Sequence, residues 1–263
     1  MTSGRRCVVT GAAGGIGLAI AEALLARGDR VLIADLDEPR LAEAGERLGT
    51  PWLAGDAASD EGIAELIARA DEEFGGIDVY VANAGVFRGF GLDASESDWD
   101  LSWQVNVMAH VRAARALVPR WSPESPGVFA VTASAAGLLT QLGSSSYSVS
   151  KHAAVGFAEW LAATYGDRGV HVTALCPMGV ATPMTEGGSA APDPDARLAH
   201  TAVSTAGETL SPAVVAETLL TAIDEGRLLA LPHESVATMY ARKAQDPDRW
   251  IAGMQRFRSS LTD

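Results

Sequence analysis

Apolar residues along the chain follow two alternating rhythms. Short runs rich in β-branched residues, at 6–10 (RCVVT), 30–34 (RVLIA), 51–54 (PWLA), 77–82 (IDVYVA), 127–132 (GVFAVT), 170–176 (VHVTALC) and 228–231 (LLAL), predict strands. Between them, apolar residues recur at helical spacing over 16–27, 39–48, 60–74, 97–119, 148–165 and 212–224. Regular alternation of strand and helix predicts parallel strands joined by helical crossovers, a doubly wound α/β sheet of seven strands. Several strands are almost unbroken apolar runs, as expected when helices cover both faces.

No long polar linker, composition shift or repeat divides the 263 residues, so one domain over 1–263 is expected. Segment 183–210, rich in Gly, Ala, Pro and Asp, is longer than an ordinary connection; it reads as a solvated loop or as a mobile lid over a substrate. The tail, 235–263, carries Tyr240, Trp250, Ile251, Met254 and Phe257 at roughly helical spacing, the mark of a packing stripe.

Composition narrows the function. With 48% hydrophobic and 20% charged residues the chain is not disordered, yet charges interrupt every apolar stretch before a membrane span accumulates. The opening MTSGRRCVVTG lacks the apolar core and cleavage site of a secretory leader. Cys7 and Cys176, far apart in apolar segments, fit buried thiols in a reducing compartment rather than a disulfide framework or metal cluster, so the cytoplasm is expected. A net charge of −13 opposes binding to nucleic acid or to an anionic membrane, leaving small molecules as partners.

The first chemical signal is Thr10-Gly11-Ala12-Ala13-Gly14-Gly15-Ile16-Gly17, directly after the first strand and opening the first helix. Gly11, Gly15 and Gly17 suit a tight turn, a close approach to a pyrophosphate and close helix packing, and the free N–H groups at the helix start favour the anion. The second strand ends in Ala34-Asp35, where a carboxylate can accept hydrogen bonds from the adenosine ribose and repel a 2′-phosphate. Asp35 therefore points to NAD. No cation stands inside the glycine turn and Leu36 follows Asp35, so no residue is expected to hold an NADP phosphate. Asp56, after the third strand, is either an adenine contact or an ordinary helix cap.

The second signal is Tyr147-Ser148-Val149-Ser150-Lys151, which sets a phenol and an ammonium four residues apart on one helix face. Lys151 and Lys243 are the only lysines. Ser134 follows the strand GVFAVT, at the edge where doubly wound sheets bind ligands. A phenol of pKa ~10 is a poor base at neutral pH, but a neighbouring ammonium favours the phenolate, so the pair suits proton exchange with an alcohol or ketone.

Together these motifs resemble the short-chain dehydrogenase/reductase family over nearly the whole chain. The TGAAGGIG turn, Asp56, Asn83-Ala84-Gly85, Asn106, Ser134, the YSVSK pentad and Pro177–Thr182 occur in the family's order. The resemblance implies a Rossmann-type fold and a tetrad of Asn106, Ser134, Tyr147 and Lys151. Tyr147 would exchange the substrate proton, Ser134 would hold the substrate oxygen, and Lys151 would also bind the nicotinamide ribose. Asn106 would anchor a water linking Lys151 to solvent. Asn83, Ala84 and Gly85 would support the sheet beside the cofactor, with Ile16 and Pro177 near it and Val180 and Thr182 holding the carboxamide. It also implies a homotetramer or homodimer.

One position departs from the family pattern: Met178 stands where a glycine is usual after Pro177. Candidate pocket residues Phe87, Ala136, Leu138, Gln141, Met178 and Met184 are mostly apolar, which suggests a hydrophobic secondary alcohol. Three readings stand: an NAD-dependent alcohol/ketone oxidoreductase, an NADP-linked ketoreductase of the same fold, and a non-catalytic dinucleotide sensor or scaffold.

Overall fold

The computed structural model describes residues 4–184 and 192–262. Its strands are β1 (Arg6–Thr10), β2 (Arg30–Asp35), β3 (Trp52–Ala54), β4 (Val79–Ala82), β5 (Gly127–Thr132), β6 (Val170–Leu175) and β7 (Leu229–Ala230). They form one parallel seven-stranded sheet in the order β3-β2-β1-β4-β5-β6-β7. The chain builds outward from β1 to β3, then returns to lay β4 on the other side of β1. Ligand crevices form at such a reversal, beyond the carboxyl ends of the strands.

The helices are α1 (Gly15–Ala26), α2 (Glu38–Leu48), α3 (Asp60–Phe74), α4 (Glu96–Trp103), α5 (Ala109–Leu117), α6 (Ser145–Tyr165), α7 (Pro194–Thr205), α8 (Pro212–Asp224), α9 (Glu234–Gln245) and α10 (Pro247–Ser260). Successive side chains of a strand point to opposite faces. Cys7 and Val9 of β1 accordingly join Ile20 and Leu24 of α1 and Leu219 of α8 in one core. Val8 joins Ile63 and Leu66 of α3 and Ala158 of α6 in the other. Both faces are covered, and each fully buried aliphatic side chain contributes about 1.5–3 kcal/mol.

Three expectations change. The single helix expected over 97–119 is two, α4 and α5, joined by a π-helical turn at Gln104–Met108 that contains Asn106. Part of 183–210 is no loop: Asp193 accepts hydrogen bonds from the backbone N–H of Asp195 and Ala196 and starts α7. The apolar face of α7 is mostly alanine (Ala196, Ala199, Ala202), which carries little hydrophobic periodicity. Residues 185–191 of the expected lid lie outside the described residues. The tail folds as α9 and α10, the latter capped by Asp246; Trp250 packs on the core, whereas Ile251 is 49% exposed, so the stripe is only partly a packing face.

Candidate active site

A cleft of about 570 Å³ opens over the carboxyl ends of β1, β2 and β4. Gly11, Gly15, Ile16, Asp35, Asp56, Asn83, Ala84, Gly85, Tyr147, Lys151, Pro177, Val180 and Thr182 all line it, so the structure brings together what the sequence scatters over 170 positions. Gly17 is the exception. It faces the turn rather than the cleft: a Cβ there would lie 2.2 Å from Gly11 O, so glycine is needed to let α1 cross the end of β1. Helices α2, α3, α4, α7, α8 and α10 each have a side-chain cap, from Asp37, Ser59, Ser95, Asp193, Ser211 and Asp246. Helix α1, like α6, has none, and no acid in its first turn. Its opening N–H groups are left to an anion, which is the donor set a dinucleotide pyrophosphate requires.

The turn is held by side chains from neighbouring strands. Asn83 donates through Nδ2 to Thr10 O (2.9 Å) and Gly11 O (3.1 Å) and accepts from Thr132 Oγ1 (3.0 Å), tying β1, β4 and β5 together at the cleft floor. Asp35, the last residue of β2, accepts from Ala13 N (3.0 Å) and Asp37 N (3.1 Å). Asp56 accepts from Ala58 N (2.9 Å) at the rim. The expectation that no cation lies near the ribose end needs correction. Arg40, in the first turn of α2, lines the cleft beside Asp35 and Gly14, with Asp37 4.0 Å away. Its guanidinium reaches there from five positions beyond Asp35, a distance only the fold closes.

On the other side of the site, α6 begins at Ser145, three residues earlier than its apolar rhythm indicates, so Tyr147 and Lys151 occupy its first two turns. Lys151 Nζ donates to Thr132 O (2.8 Å) and stands 5.7 Å from the Tyr147 ring centroid. Burial lowers the Lys151 ammonium to about 8. Burial also pushes the Tyr147 phenol up, outweighing a hydrogen bond with Ser134 that pulls it down. At neutral pH the pair is therefore a phenol beside an ammonium. Ser134 Oγ accepts from Ala136 N (3.1 Å) and donates to Pro177 O (3.4 Å). Asn106 lies behind the cleft, fully buried; its Oδ1 accepts from Val86 N (2.9 Å) and its Nδ2 donates to Val86 O (3.0 Å) and Ser150 Oγ (3.1 Å). It meets Lys151 around Gly85, where a Cβ would sit 3.3 Å from Asn106 Oδ1 and 3.5 Å from Lys151 Nζ.

A second cleft, of about 1040 Å³, adjoins the first. Ser134, Tyr147, Met178 and Met184 line both, so these residues stand where two bound molecules would meet. Phe87, packed edge-on to Tyr147 at 4.7 Å, lines it with Ala136 and Gln141. Leu138 does not. It is 1% exposed within the core, and its carbonyl accepts from Lys243 Nζ (2.7 Å). Lys243 also faces His152 Nε2 at 3.3 Å, which docks α9 onto α6 one turn past Tyr147. Met178 fits its position without strain: among the described residues the only non-glycine with positive φ is Thr140, at 118°. Thr140 itself lines the second cleft. Neither this backbone outlier nor the cleft walls supplied by α7, α9 and α10 leave a mark in local sequence.

Comparison with known proteins gives the following. A family model described as short chain dehydrogenase matches residues 5–192. D-beta-hydroxybutyrate dehydrogenase of Cupriavidus necator is 30% identical over 192 residues, 71% of this chain and 74% of that protein. 2-(R)-hydroxypropyl-CoM dehydrogenase of Xanthobacter autotrophicus is 35% identical over 195 residues, 69% of this chain and 77% of that protein. A solved short chain dehydrogenase/reductase from Burkholderia phymatum, in complex with NAD, superposes with a TM-score of 0.84 at 28% identity, covering 94% of this chain and 96% of that one.

Proposed function

The chain belongs to the short-chain dehydrogenase family, and from that premise we propose that it is an NAD-dependent oxidoreductase acting on a secondary alcohol or its ketone, with Tyr147 as the general acid and base. The observation that carries the proposal is the meeting of the two clefts at Ser134 and Tyr147, with Lys151 one turn behind. NAD, when bound, supplies the carbon that accepts the substrate's hydride.

The chain's residues do the rest. The uncapped start of α1 binds the pyrophosphate, and Asp35, with lone pairs left on both oxygens, accepts from the adenosine ribose. Lys151 donates to the second ribose. Ser134 Oγ, turning its single hydrogen away from Pro177 O, donates to the substrate oxygen and fixes the reacting carbon against the first cleft. Tyr147 Oη takes the hydroxyl proton as the C–H bond breaks, or returns it to a carbonyl in the reverse direction. The ammonium of Lys151 favours the phenolate that this proton transfer requires. Asn106 holds the 85–86 segment that follows β4 beside Lys151 and so positions it.

A second reading, NADP as cofactor, is favoured by one observation: Arg40 lines the ribose end and is a suitable partner for a 2′-phosphate. Asp35 opposes it by charge, and we take NAD as the cofactor. The protein is read as a single cytoplasmic domain whose α7 closes over bound substrate. It is also read as a homodimer or homotetramer meeting through the exposed Trp103, Val149 and Trp160 of α4 and α6. The deciding experiment is hydride transfer, followed at the nicotinamide absorbance, with NAD and NADP in parallel against a panel of secondary alcohols and ketones. Turnover with NAD is expected. Tight dinucleotide binding without turnover on any of them would instead favour a sensor.

A further inference from the structure

The wall of the substrate-side cleft farthest along the chain from Tyr147 is not apolar. Arg242 of α9 and Arg249 and Arg256 of α10 all line it. Each is seven residues from the next, so Arg249 and Arg256 share one face of α10, two turns apart. A Cβ at Gly253, between them, would lie 3.8 Å from Arg256 Nη2: the Arg256 guanidinium lies along the space that the glycine leaves.

These arginines differ from the ion-paired arginines of the molecule. Arg5, Arg6, Arg27, Arg47 and Arg120 each sit within 3 Å of a carboxylate. In a chain of net charge −13, acids are abundant. Among the described residues, none lies within 4.0 Å of a guanidinium nitrogen of Arg242, Arg249 or Arg256. The one acid lining this cleft, Asp246, accepts from Arg249 N as the cap of α10. Three cations facing a cleft with one committed carboxylate leave an excess of positive charge.

The family match ends at residue 192, before α9 and α10, so this wall lies outside the matched residues. Met178, Met239, Trp250, Met254 and Phe257 supply apolar surface to the same cleft. Resting on the oxidoreductase reading above, we propose that the substrate is an amphipathic anion. Its secondary alcohol or ketone sits at Ser134 and Tyr147, its aliphatic body lies along the methionines, and its carboxylate, sulfonate or phosphate is bound by Arg242, Arg249 and Arg256. Guanidinium groups suit these planar or tetrahedral oxyanions because each presents paired N–H donors. This refines the purely hydrophobic substrate suggested by the apolar pocket residues alone.

The test compares hydroxy acids of increasing chain length with their methyl esters, and with sulfonate and phosphate analogues of the best length, in the intact enzyme with NAD. The expected result is a kcat/KM at least tenfold higher for the anion than for the ester, shrinking as ionic strength rises. In the triple variant Arg242→Gln, Arg249→Gln, Arg256→Gln the acid-to-ester ratio should fall to about one. Arg258→Gln, which removes a cation of the same helix outside the cleft, should keep the wild-type ratio. Turnover of acid and ester at equal efficiency in the wild type overturns the anion site and leaves the oxidoreductase reading standing. If nothing turns over, calorimetric titration with octanoate and octanamide decides separately. Octanoate should bind more tightly than octanamide to the wild type and equally to the triple variant; equal binding to the wild type overturns the proposal.

Discussion

His233 holds Met178 by its backbone: Nδ1 accepts a hydrogen bond from Met178 N at 3.2 Å, while Nε2 faces Glu208 O at 3.0 Å. An acceptor at Nδ1 and a carbonyl opposite Nε2 select the tautomer with its hydrogen on Nε2. The imidazole thus ties 177–182, which lines the cofactor cleft, to the segment that follows α7. His233→Phe keeps the ring volume and removes both bonds. Each is worth ~1 kcal/mol, so NAD affinity should fall about fivefold or more, with a smaller change in kcat. Cofactor titration beside steady-state kinetics checks this, and unchanged affinity would contradict it.

Tyr147→Phe removes only the phenolic oxygen. NAD binding should persist while turnover falls ~10²–10⁴-fold, the usual share of general acid–base catalysis. Burial holds the phenol protonated, so in the wild type reduction should be fastest near neutrality and oxidation should rise with pH. Ser134→Ala should slow single-turnover hydride transfer while leaving cofactor binding in place. Near-normal hydride transfer by Tyr147→Phe would remove the mechanism.

Lys151 should leave a signature in stability. Its ammonium is lowered by burial to about 8, against 10.5 in the unfolded chain. Between those pH values the unfolded chain binds the proton and the folded one does not, so stability rises with pH through that window. The folding equilibrium gains up to about tenfold per pH unit from this group. Lys151→Met should flatten that rise, leave the protein at least as stable near pH 7, and abolish both turnover and tight cofactor binding. Denaturant unfolding of both proteins from pH 7 to 10 provides the comparison.

His110 carries a liability of the same sign in the acid range. It is 1% exposed on α5, neither ring nitrogen has a partner among the described residues, and burial, reinforced by the charge of Lys151, lowers it to about 3. Below pH 6.5 the unfolded chain gains a proton that the folded one refuses, so stability falls as pH drops from 6.5 towards 3. His110→Leu fills a similar volume without the orphan nitrogens. The variant should be more stable than wild type at pH 7, with the advantage widening towards pH 5; thermal unfolding at the two pH values measures it.

Cofactor choice rests on two opposed groups at one cleft edge. Asp35→Ala removes the ribose acceptor and the repulsion of a 2′-phosphate, and frees Arg40 from a nearby negative charge. The NAD-to-NADP preference should narrow by at least tenfold. Adding Arg40→Ala should take NADP affinity down again. A wild type that prefers NADP would show that Arg40, not Asp35, governs the site.

The strand and helix rhythm, the glycine turn, Asp35 at a strand end, and the spacing of Tyr147 and Lys151 are local. Each depends on residues a few positions apart, whose periodicity or chemistry is written directly in the chain, and so the doubly wound sheet and one edge of each cleft follow from the sequence. Which distant residues face that edge is set by packing. Leu138 has the same apolar character as Leu139, yet the short turn at Ala135–Gly137 sends Leu138 into the core and leaves Leu139 on the cleft. Gly17 matches the cofactor motif, but its use is to leave free the place where a Cβ would lie 2.2 Å from Gly11 O. Arg40, Thr140, His233 and the arginines of α9 and α10 have ordinary neighbours in sequence. They become parts of a site only because α2, α7, α9 and α10 dock on the body of the fold, through contacts between residues as far apart as Leu138 and Lys243. Such contacts depend on shape complementarity across the fold, which no local pattern of polar and apolar positions encodes.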